Sequence, residues 1–296
     1  RSTLFPYTTL FRSRTGLWLL VPFVCLHSCN APGKKYGSWE IYKGSDESLN
    51  YSSLNQVDTL NVKTLKVAWT YRTGDADTIN HSQIQCNPII VNGVLYGTSA
   101  MMKLFAIDAI TGKQKWIFNP FDSLGSDKRM FFILNNSRGV RYWSDGENDE
   151  RIYYTAGSFL HAVNAKTGQL VSSFGMEGKI DLHEGLGRDV GDLFITSTSP
   201  PVVDDDVLII GSRVDEGPAS APGHIRGYDV RTGKQRWIFH TIPHPGEEGY
   251  SSWDQPDAYK YTGGANAWSG LSVDHKRGIV FAATGSASYE IGRAHV

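Results

Sequence analysis

Cysteine is scarce in this chain, which has only three in 296 residues. Cys25 and Cys29 stand close together near the start, so Cys86 is the single cysteine of the remainder and an internal disulfide framework is excluded there. No Cys-x-x-Cys-His sequence occurs, which excludes covalent haem attachment within these residues. With 40% hydrophobic residues, the chain can instead bury a substantial apolar core.

An excess of charge of one sign is also lacking. The 29 Lys and Arg residues are scattered and nearly balance the 30 Asp and Glu residues, which leaves a formal net charge of -1. A nucleic-acid partner needs a basic patch, so this class is excluded. The apolar run of residues 17–26 is too short to span a membrane. No long stretch has helical periodicity, which favours an all-β fold.

One phrase is repeated three times along the chain. It reads LFAIDAITGKQKWIF from Leu104, LHAVNAKTGQLVSSF from Leu160 and IRGYDVRTGKQRWIF from Ile225. Each copy predicts a strand, a tight turn and a second strand. The Thr-Gly pairs of the copies are 56 and 65 residues apart, somewhat longer than the roughly 40 to 50 residues per blade of common propellers. The repeat therefore predicts a β-propeller whose blades carry loop insertions.

The turn at the centre of each copy has a fixed chemistry. An Asp or Asn stands three residues before the Thr-Gly pair, because a short polar side chain can bond to turn amides while the glycine takes a positive φ. Trp116 and Trp237 follow two of the turns, and we predict that both pack between blades. The turn residues are Asp108 and Gly112, Asn164 and Gly168, and Asp229 and Gly233.

Other strands and loops follow the same layout. Asn92-Gly93 between two apolar runs predicts a hairpin, as do residues 200–212 and 271–285. The alternation of Val67, Trp69 and Tyr71 predicts a further strand. In a propeller the long loops gather on the faces around the axis, where binding groups are carried. The loops in question are residues 121–136, 177–192, 217–223 and 243–264.

The two ends are expected not to belong to the natural protein. Residues 1–13, which contain TLFPYTTLFRS, and residues 291–296, IGRAHV, resemble the in-frame translation of sequencing adapters. We therefore expect the chain to be a piece of a longer protein that is interrupted near Glu290.

Residues 14–29 resemble the end of a bacterial signal peptide. An arginine, an apolar run and then Leu26-His27-Ser28-Cys29 are similar to a lipobox, with Cys29 as the lipidated residue. An ordinary secretory signal is the alternative, and either one predicts a periplasmic location. Residues 30–38 are predicted to be a tether, and residues 39–290 the folded propeller piece.

Four segments carry a resemblance to a known family: SRGVRYW from Ser137, DEGPASAPGHIRGYD from Asp215, HTIPHPGE from His240 and GGANAWSG from Gly263. Together with the turn repeats, they resemble the quinoprotein dehydrogenases, in particular the branch that oxidises sugars and cyclic polyols. The resemblance implies about half of an eight-bladed β-propeller that uses pyrroloquinoline quinone and a Ca²⁺ or Mg²⁺ ion. It further implies oxidation of a sugar or polyol alcohol group, with ubiquinone or a cytochrome as electron acceptor.

The resemblance assigns cofactor contacts to particular residues. The cofactor is a flat ortho-quinone with three carboxylates, so its site needs an aromatic plane and a guanidinium group. Arg138 matches the family's cofactor-binding arginine, and Trp268 matches the tryptophan beneath the quinone ring. Polar contacts are assigned to Gln85, Ser197 and Asn266.

Metal ligands follow from the same resemblance. Glu216 matches the family's metal-ligating acid, with Asp215 beside it as an alternative. Hard oxygen ligands of this kind suit Ca²⁺ or Mg²⁺. Ser286 or Ser288 stands where some relatives have an asparagine or threonine ligand. The three acids at 204–206 are predicted to be a solvated hairpin turn and are assigned no site.

Several departures from the family pattern limit the assignment. Asn136 and Ser137 precede Arg138, so the adjacent cysteines of the methanol-oxidising branch are absent. The resemblance places the catalytic aspartate in a His-rich motif beyond Tyr289, so we assign no catalytic residue and expect this piece alone to be inactive. The spacings of the histidines, including His240 and His244, suit no metal motif.

A different class of function shares part of these features. A non-catalytic scaffold lipoprotein of the outer-membrane barrel-assembly type would also have lipidation and propeller turns, but no cofactor. A His-rich motif encoded downstream of Glu290 would favour the enzyme, and its absence from the gene would favour the scaffold.

The adapter hypothesis is tested at the DNA level. Amplification of the source locus with flanking primers is expected to yield a reading frame without residues 1–13 and 291–296. Continuous genomic DNA that encodes TLFPYTTLFRS would disprove it.

Overall fold

A computed structural model describes residues 36–79, 81–122, 136–217 and 220–288. The adapter-like ends, the signal segment with Cys29 and all of the tether before residue 36 lie outside these ranges. Within them, no helix is both long and apolar enough to cross a bilayer.

The described chain is built almost entirely from short antiparallel strands. Three sheets have four strands each, and we call them blades 1, 2 and 3. Blade 1 is β1 (Ile89–Val91), β2 (Val94–Thr98), β3 (Leu104–Asp108) and β4 (Gln114–Phe118), and blade 2 is β5 (Arg141–Ser144), β6 (Glu150–Ala156), β7 (Phe159–Asn164) and β8 (Lys179–Asp181).

Blade 3 is interrupted by a two-stranded ribbon. Its strands are β10 (Val202–Asp204), β11 (Val207–Ile210), β13 (Ile225–Asp229) and β14 (Gln235–Phe239), which pair in that order, while β9 (Ile195–Thr196) and β12 (Arg213–Val214) pair only with each other. A last hairpin, β15 (Leu271–Asp274) with β16 (Ile279–Ala282), begins the next blade, and one short helix, α1 (Ala258–Tyr261), precedes it.

The repeated turns have the predicted chemistry. In blade 1, Asp108 Oδ1 accepts hydrogen bonds from Thr111 N and Thr111 Oγ1, both at 2.8 Å. Asn164 and Asp229 accept the equivalent bonds in blades 2 and 3. The following glycines have φ values of 70, 74 and 72°. The prediction of strand, turn and strand is confirmed for the first and third copies. It is wrong for the second copy, where only an isolated bridge between Leu170 and Val163 follows the turn and the next strand of the blade, β8, begins at Lys179.

Each blade docks on the turn of the next one. Trp116 Nε1 donates to Ala165 O at 3.0 Å, and its indole covers Gly168, where a Cβ atom would lie 2.7 Å from the ring. Between blades 2 and 3, the Tyr153 hydroxyl donates to Val230 O at 2.5 Å. These contacts leave no room for a side chain at the turn of blade 2.

Apolar clusters fill the spaces between successive blades. Side chains alternate along each strand, so Ile152 and Tyr154 of β6 face blade 1 while Tyr153 faces blade 3. Three clusters result: Ile89, Leu104, Ile152, Tyr154 and Val163 between blades 1 and 2, Tyr153, Phe174, Leu208 and Val230 between blades 2 and 3, and Val202, Ile209, Leu271 and Val273 between blade 3 and the last hairpin. This stacking is that of a β-propeller.

The predicted strand at Val67, Trp69 and Tyr71 is absent. The segment pairs with no strand among the described residues. Trp69 nevertheless repeats the docking of Trp116, since its Nε1 donates to Ala109 O at 3.2 Å and its ring covers Gly112. The alternation therefore reflects a docked segment rather than a strand.

The prediction that Trp237 packs between blades is wrong for the described residues. Trp237 is 38% exposed. Its indole lies within blade 3, over Gly227 of the paired strand, where a Cβ atom would lie 2.2 Å from the ring. Trp237 therefore packs inside its own sheet.

Replacing Gly168 with alanine should destabilise the fold more than the same change at Gly146. Both glycines have positive φ, 74 and 82°, so each alanine costs about 1–2 kcal/mol of backbone strain. Only Gly168 lies under an indole, whereas nothing lies within 4 Å of a Cβ at Gly146. We expect Gly168→Ala to lose roughly 1–3 kcal/mol more, by overpacking. Urea unfolding measures both variants, and equal losses would contradict the docking argument.

Candidate functional site

A chain of hydrogen bonds joins the segments that lead into the first strand of each blade. Asn87 N donates to Arg138 O at 2.8 Å, and Arg138 N donates to Thr198 O at 2.7 Å. The hydroxyl of Thr198 then donates to Trp268 O at 3.2 Å. One residue from each of four successive blades is thus held next to the corresponding residue of the following blade. We call Asn87, Arg138, Thr198 and Trp268 the axial chain.

The axial chain holds Arg138 through both its backbone and its side chain. Its Nη1 donates to Thr198 Oγ1 at 2.8 Å and to Trp268 O at 2.9 Å. Its guanidinium carbon lies 5.0 Å from the centre of the Trp268 ring. No carboxylate forms an ion pair with Arg138 within the described ranges. Its charge is therefore available to an anionic ligand.

Trp268 combines a fixed backbone with an accessible ring. Its carbonyl oxygen also accepts a bond from Ser199 Oγ at 3.0 Å, which adds to those from Arg138 and Thr198. The residue is 46% exposed, unlike the neighbouring Ala267, which is 2% exposed. An indole that is held in place and open to solvent offers a flat surface on which a planar ligand can stack.

The ribbon of β9 and β12 brings Asp215 and Glu216 to the region of Arg138 and Trp268. Its strands pair Thr196 with Arg213, and the chain then continues to Asp215 and Glu216. Asp215 Oδ1 accepts a hydrogen bond from Glu216 N at 2.7 Å, which fixes a tight turn. The side-chain amide of Asn266 donates to Ser212 O at 3.0 Å and holds this turn beside the Trp268 segment.

The segment that follows β16 also borders the site. Ser288 N donates to Gly263 O at 2.9 Å, and Ala265 N donates to Ser286 O at 2.7 Å. The Ser288 hydroxyl bonds to Ser220 Oγ at 2.6 Å. Gly264 is required between them, because its φ is 71° and a Cβ atom there would lie 2.7 Å from Ser288 N.

These segments enclose a cleft of about 560 Å³. Eight of the nine site residues that we predict from the sequence line it: Gln85, Arg138, Asp215, Glu216, Asn266, Trp268, Ser286 and Ser288. Ser197 does not line the cleft, since its buried hydroxyl donates to Ser199 O at 3.0 Å. The next residue, Thr198, lines it instead. In extended backbone a shift of one residue reverses the side-chain direction.

Sequence reasoning missed other residues of the site. Asn136 and Arg213 line the cleft beside Thr198. Tyr42 lies behind it, and its ring would be 2.8 Å from a Cβ atom at Gly139. A signal for Asn136 and Thr198 was available, because both stand in the segments that lead into the first strand of a blade. Tyr42 is remote in sequence from every motif, so only the fold brings it here.

Burial keeps two titratable groups behind the cleft neutral. Burial raises the pKa of the Tyr42 phenol, and the nearby guanidinium of Arg138 offsets this only in part. Burial also raises the pKa of the Cys86 thiol, although a bond from Thr98 N to Sγ acts in the opposite direction. The charged groups that line the cleft are therefore two arginines, Arg138 and Arg213, and two carboxylates, Asp215 and Glu216.

The chain matches a known protein family over residues 39–295, and that family is described as PQQ: Glucose/ethanol/alcohol dehydrogenase, beta-propeller domain. It is 34% identical to quinoprotein glucose dehydrogenase A of Acinetobacter calcoaceticus, over 88% of this chain and 34% of that protein. It is 31% identical to the quinate/shikimate dehydrogenase (quinone) of Acinetobacter baylyi, over the same shares of each chain. The chain thus spans about a third of the length of these relatives.

A solved structure has the same fold. The quinohemoprotein alcohol dehydrogenase ADHIIG of Pseudomonas putida HK5 superposes with a TM-score of 0.66 and 25% identity. The superposition covers 86% of this chain and 35% of that chain. The expectation of a partial propeller of this type is therefore confirmed.

Proposed function

Because this chain belongs to the family of pyrroloquinoline quinone (PQQ) glucose/ethanol/alcohol dehydrogenases, we propose that its cleft binds PQQ and a divalent cation in an enzyme that oxidises an alcohol group of a sugar or cyclic polyol. Ubiquinone or a cytochrome would accept the electrons. One observation carries the proposal: an arginine that has no ion-pair partner among the described residues, an accessible indole and two carboxylates line one cleft.

Arg138 and Trp268 would hold the quinone. A planar tricarboxylate needs a flat apolar surface and a cationic donor, and these two side chains supply both, with the guanidinium carbon 5.0 Å from the centre of the indole. Because Arg138 is bonded to Thr198 and to Trp268 O, its guanidinium has little freedom to lose when it binds an anion. Arg213 lies on the same cleft and would add a second positive charge.

Glu216 would be the main ligand of the cation. Glu216, Asp215 and the amide of Asn266 offer oxygen atoms on one side of the cleft, which is the ligand chemistry of Ca²⁺ and Mg²⁺. Ser286 and Ser288 also line the cleft and would offer hydroxyl oxygens, that of Ser288 while it is bonded to Ser220 Oγ. When bound, the quinone supplies the acceptor for two electrons and the cation supplies a Lewis acid.

The substrate class rests on the relatives. The two named above act, by their names, on glucose and on quinate or shikimate, which are polyhydroxylated rings. An open, polar cleft admits such a molecule beside a stacked quinone. We therefore favour a sugar or cyclic polyol over a simple alcohol.

Substitutions at Arg138 and Glu216 should separate quinone binding from cation binding. In the whole protein, Arg138→Ala removes a charge-assisted contact. The loss of binding free energy should be about 1.5–3 kcal/mol, which lowers the affinity for PQQ roughly 10- to 100-fold. Glu216→Gln keeps the shape but removes a negative ligand, so reconstitution should need higher Ca²⁺ or Mg²⁺ concentrations. Titration of apo-protein with PQQ at several cation concentrations, followed by tryptophan fluorescence, measures both effects.

Two exposed residues provide matched controls. Arg236→Ala removes an arginine that pairs with Asp206 and Asp229 far from the cleft, and Glu147→Gln alters an acid in the β5–β6 turn. Both are expected to reconstitute like wild type. Wild-type behaviour of Arg138→Ala and Glu216→Gln would remove these residues from the site. Failure of the wild-type protein to bind PQQ at any cation concentration would favour the non-catalytic scaffold.

We further propose a periplasmic protein that is anchored by lipid at Cys29. The support is the lipobox-like sequence Leu26-His27-Ser28-Cys29 after an apolar run. A doubly acylated cysteine binds a bilayer firmly, whereas a single chain does not. Cells fed an alkyne fatty acid are expected to label the wild-type protein but not Cys29→Ser. Equal labelling of both proteins would disprove the anchor.

A further inference from the structure

Three histidines that are separated in the sequence converge at one end of blade 3. His224 directly precedes β13 and His240 directly follows β14, and these strands pair Ile225 with Phe239. The two histidines are therefore neighbours at the same end of the hairpin, and His244 joins them from the following loop. One potential ligand atom of each of the three residues lies within 4.8 Å of the others.

The three rings are packed closely together. His240 and His244 are stacked, with centroids 3.8 Å apart and planes 8° from parallel. The ring of His224 meets them edge-on, at 4.7 Å from His240 and 6.1 Å from His244. His224 is 1% exposed, while the other two are half-buried. One ligand is thus fixed in the core and two lie at its surface.

Burial lowers the pKa of two of the three imidazoles. The pKa of His224 falls to about 3, and the neighbouring His240 adds to this shift. Burial likewise lowers the pKa of His244, again with a contribution from His240 and against that of Glu247.

Glu247 orients the ring of His240 and holds the backbone of His244. Its Oε1 lies 2.7 Å from His240 Nδ1, and its Oε2 accepts a hydrogen bond from His244 N at 2.7 Å. The bond at Nδ1 leaves Nε2 of His240 as the atom for a metal. A carboxylate behind a histidine ligand fixes the ring tautomer and raises ligand basicity in metal sites.

His224 can adopt the tautomer that a metal needs. Its Nδ1 now accepts a hydrogen bond from Thr241 N at 3.2 Å. The Thr241 hydroxyl lies 3.5 Å from the same atom and can accept a hydrogen bond from it. Binding of a metal at Nε2 requires the proton to move to Nδ1, which then gives up the bond from Thr241 N and donates to this hydroxyl.

We propose that His224, His240 and His244 form a binding site for a divalent transition metal of the zinc class. Three imidazole ligands suit Zn²⁺ and leave a fourth position for water or another ligand. The site differs in chemistry from the cleft at Glu216, because nitrogen ligands favour zinc whereas oxygen ligands favour Ca²⁺ and Mg²⁺. A bound metal would fasten the loop of His244 to the β13–β14 hairpin. The histidine spacing in the sequence suits no metal motif, so only the fold reveals this site.

A zinc titration of the full chain tests the proposal. Chelator-treated protein is titrated with Zn²⁺ in excess Ca²⁺, which occupies the oxygen ligands of the cleft, and retained zinc is measured by elemental analysis after gel filtration. We expect one zinc per wild-type chain and at least about tenfold weaker binding in both His240→Gln and His244→Gln. Glu247→Gln should weaken binding roughly 10- to 100-fold, since it removes the orienting carboxylate.

His183→Gln is the matched control. His183 also has a carboxylate at Nδ1, Asp181 Oδ1 at 2.6 Å, but Leu193 O lies 2.9 Å from its Nε2 and occupies the second nitrogen. It should bind zinc like wild type, and circular dichroism checks that every variant folds. Absence of stoichiometric zinc in the folded wild-type protein overturns the proposal, as does equal zinc affinity in the wild type and both histidine variants. PQQ is not used, so the outcome is independent of the proposed function.

Discussion

The axial chain is the constraint on which the described structure depends. Backbone and side-chain hydrogen bonds run from Asn87 to Arg138, then to Thr198 and finally to Trp268, and each link joins one blade to the next. These segments are partly buried and irregular, so their polar groups need partners inside the protein. The blades supply those partners to one another. Their innermost edges are thereby held in fixed positions, and the cleft inherits that order.

The same arrangement couples stability to the candidate function. The outer part of each blade is held by a different contact, in which Trp116 covers Gly168 and Tyr153 bonds to Val230 of the following turn. Packing at the rim and hydrogen bonding near the axis therefore fix the angle between blades together. Arg138 serves both purposes, since one guanidinium nitrogen completes the axial chain while its charge faces the cleft.

The two proposed sets of ligand atoms, which differ in chemistry, lie on blade 3 and on the ribbon that interrupts it. Asp215 and Glu216 follow β12 and present oxygen atoms to the cleft. His224 and His240 flank the β13–β14 hairpin and present nitrogen atoms at one of its ends. The loop between β12 and β13 leads from one set to the other, and Gly223 in it packs directly against Asn266 of the cleft. Two cations of different hardness can thus be held by one blade without competing for ligands.

The sequence by itself determined the elements that depend on local chemistry. The capped turns at Asp108, Asn164 and Asp229, and the hairpin at Asn92-Gly93, follow from residues that are adjacent in the chain. Resemblance to a family added Arg138 and Trp268, which line one cleft. Contacts between distant segments could not be found in this way.

Only the tertiary structure decided which residues meet. It turned Thr198 rather than Ser197 into the cleft, because one step along extended backbone reverses the direction of the side chain. It docked Trp69 without a strand and gathered three histidines whose spacing carries no signal. The physical reason is the same in each case. Local sequence sets turns and strands, whereas the pairing and stacking of blades sets the distances between side chains that are far apart in the chain.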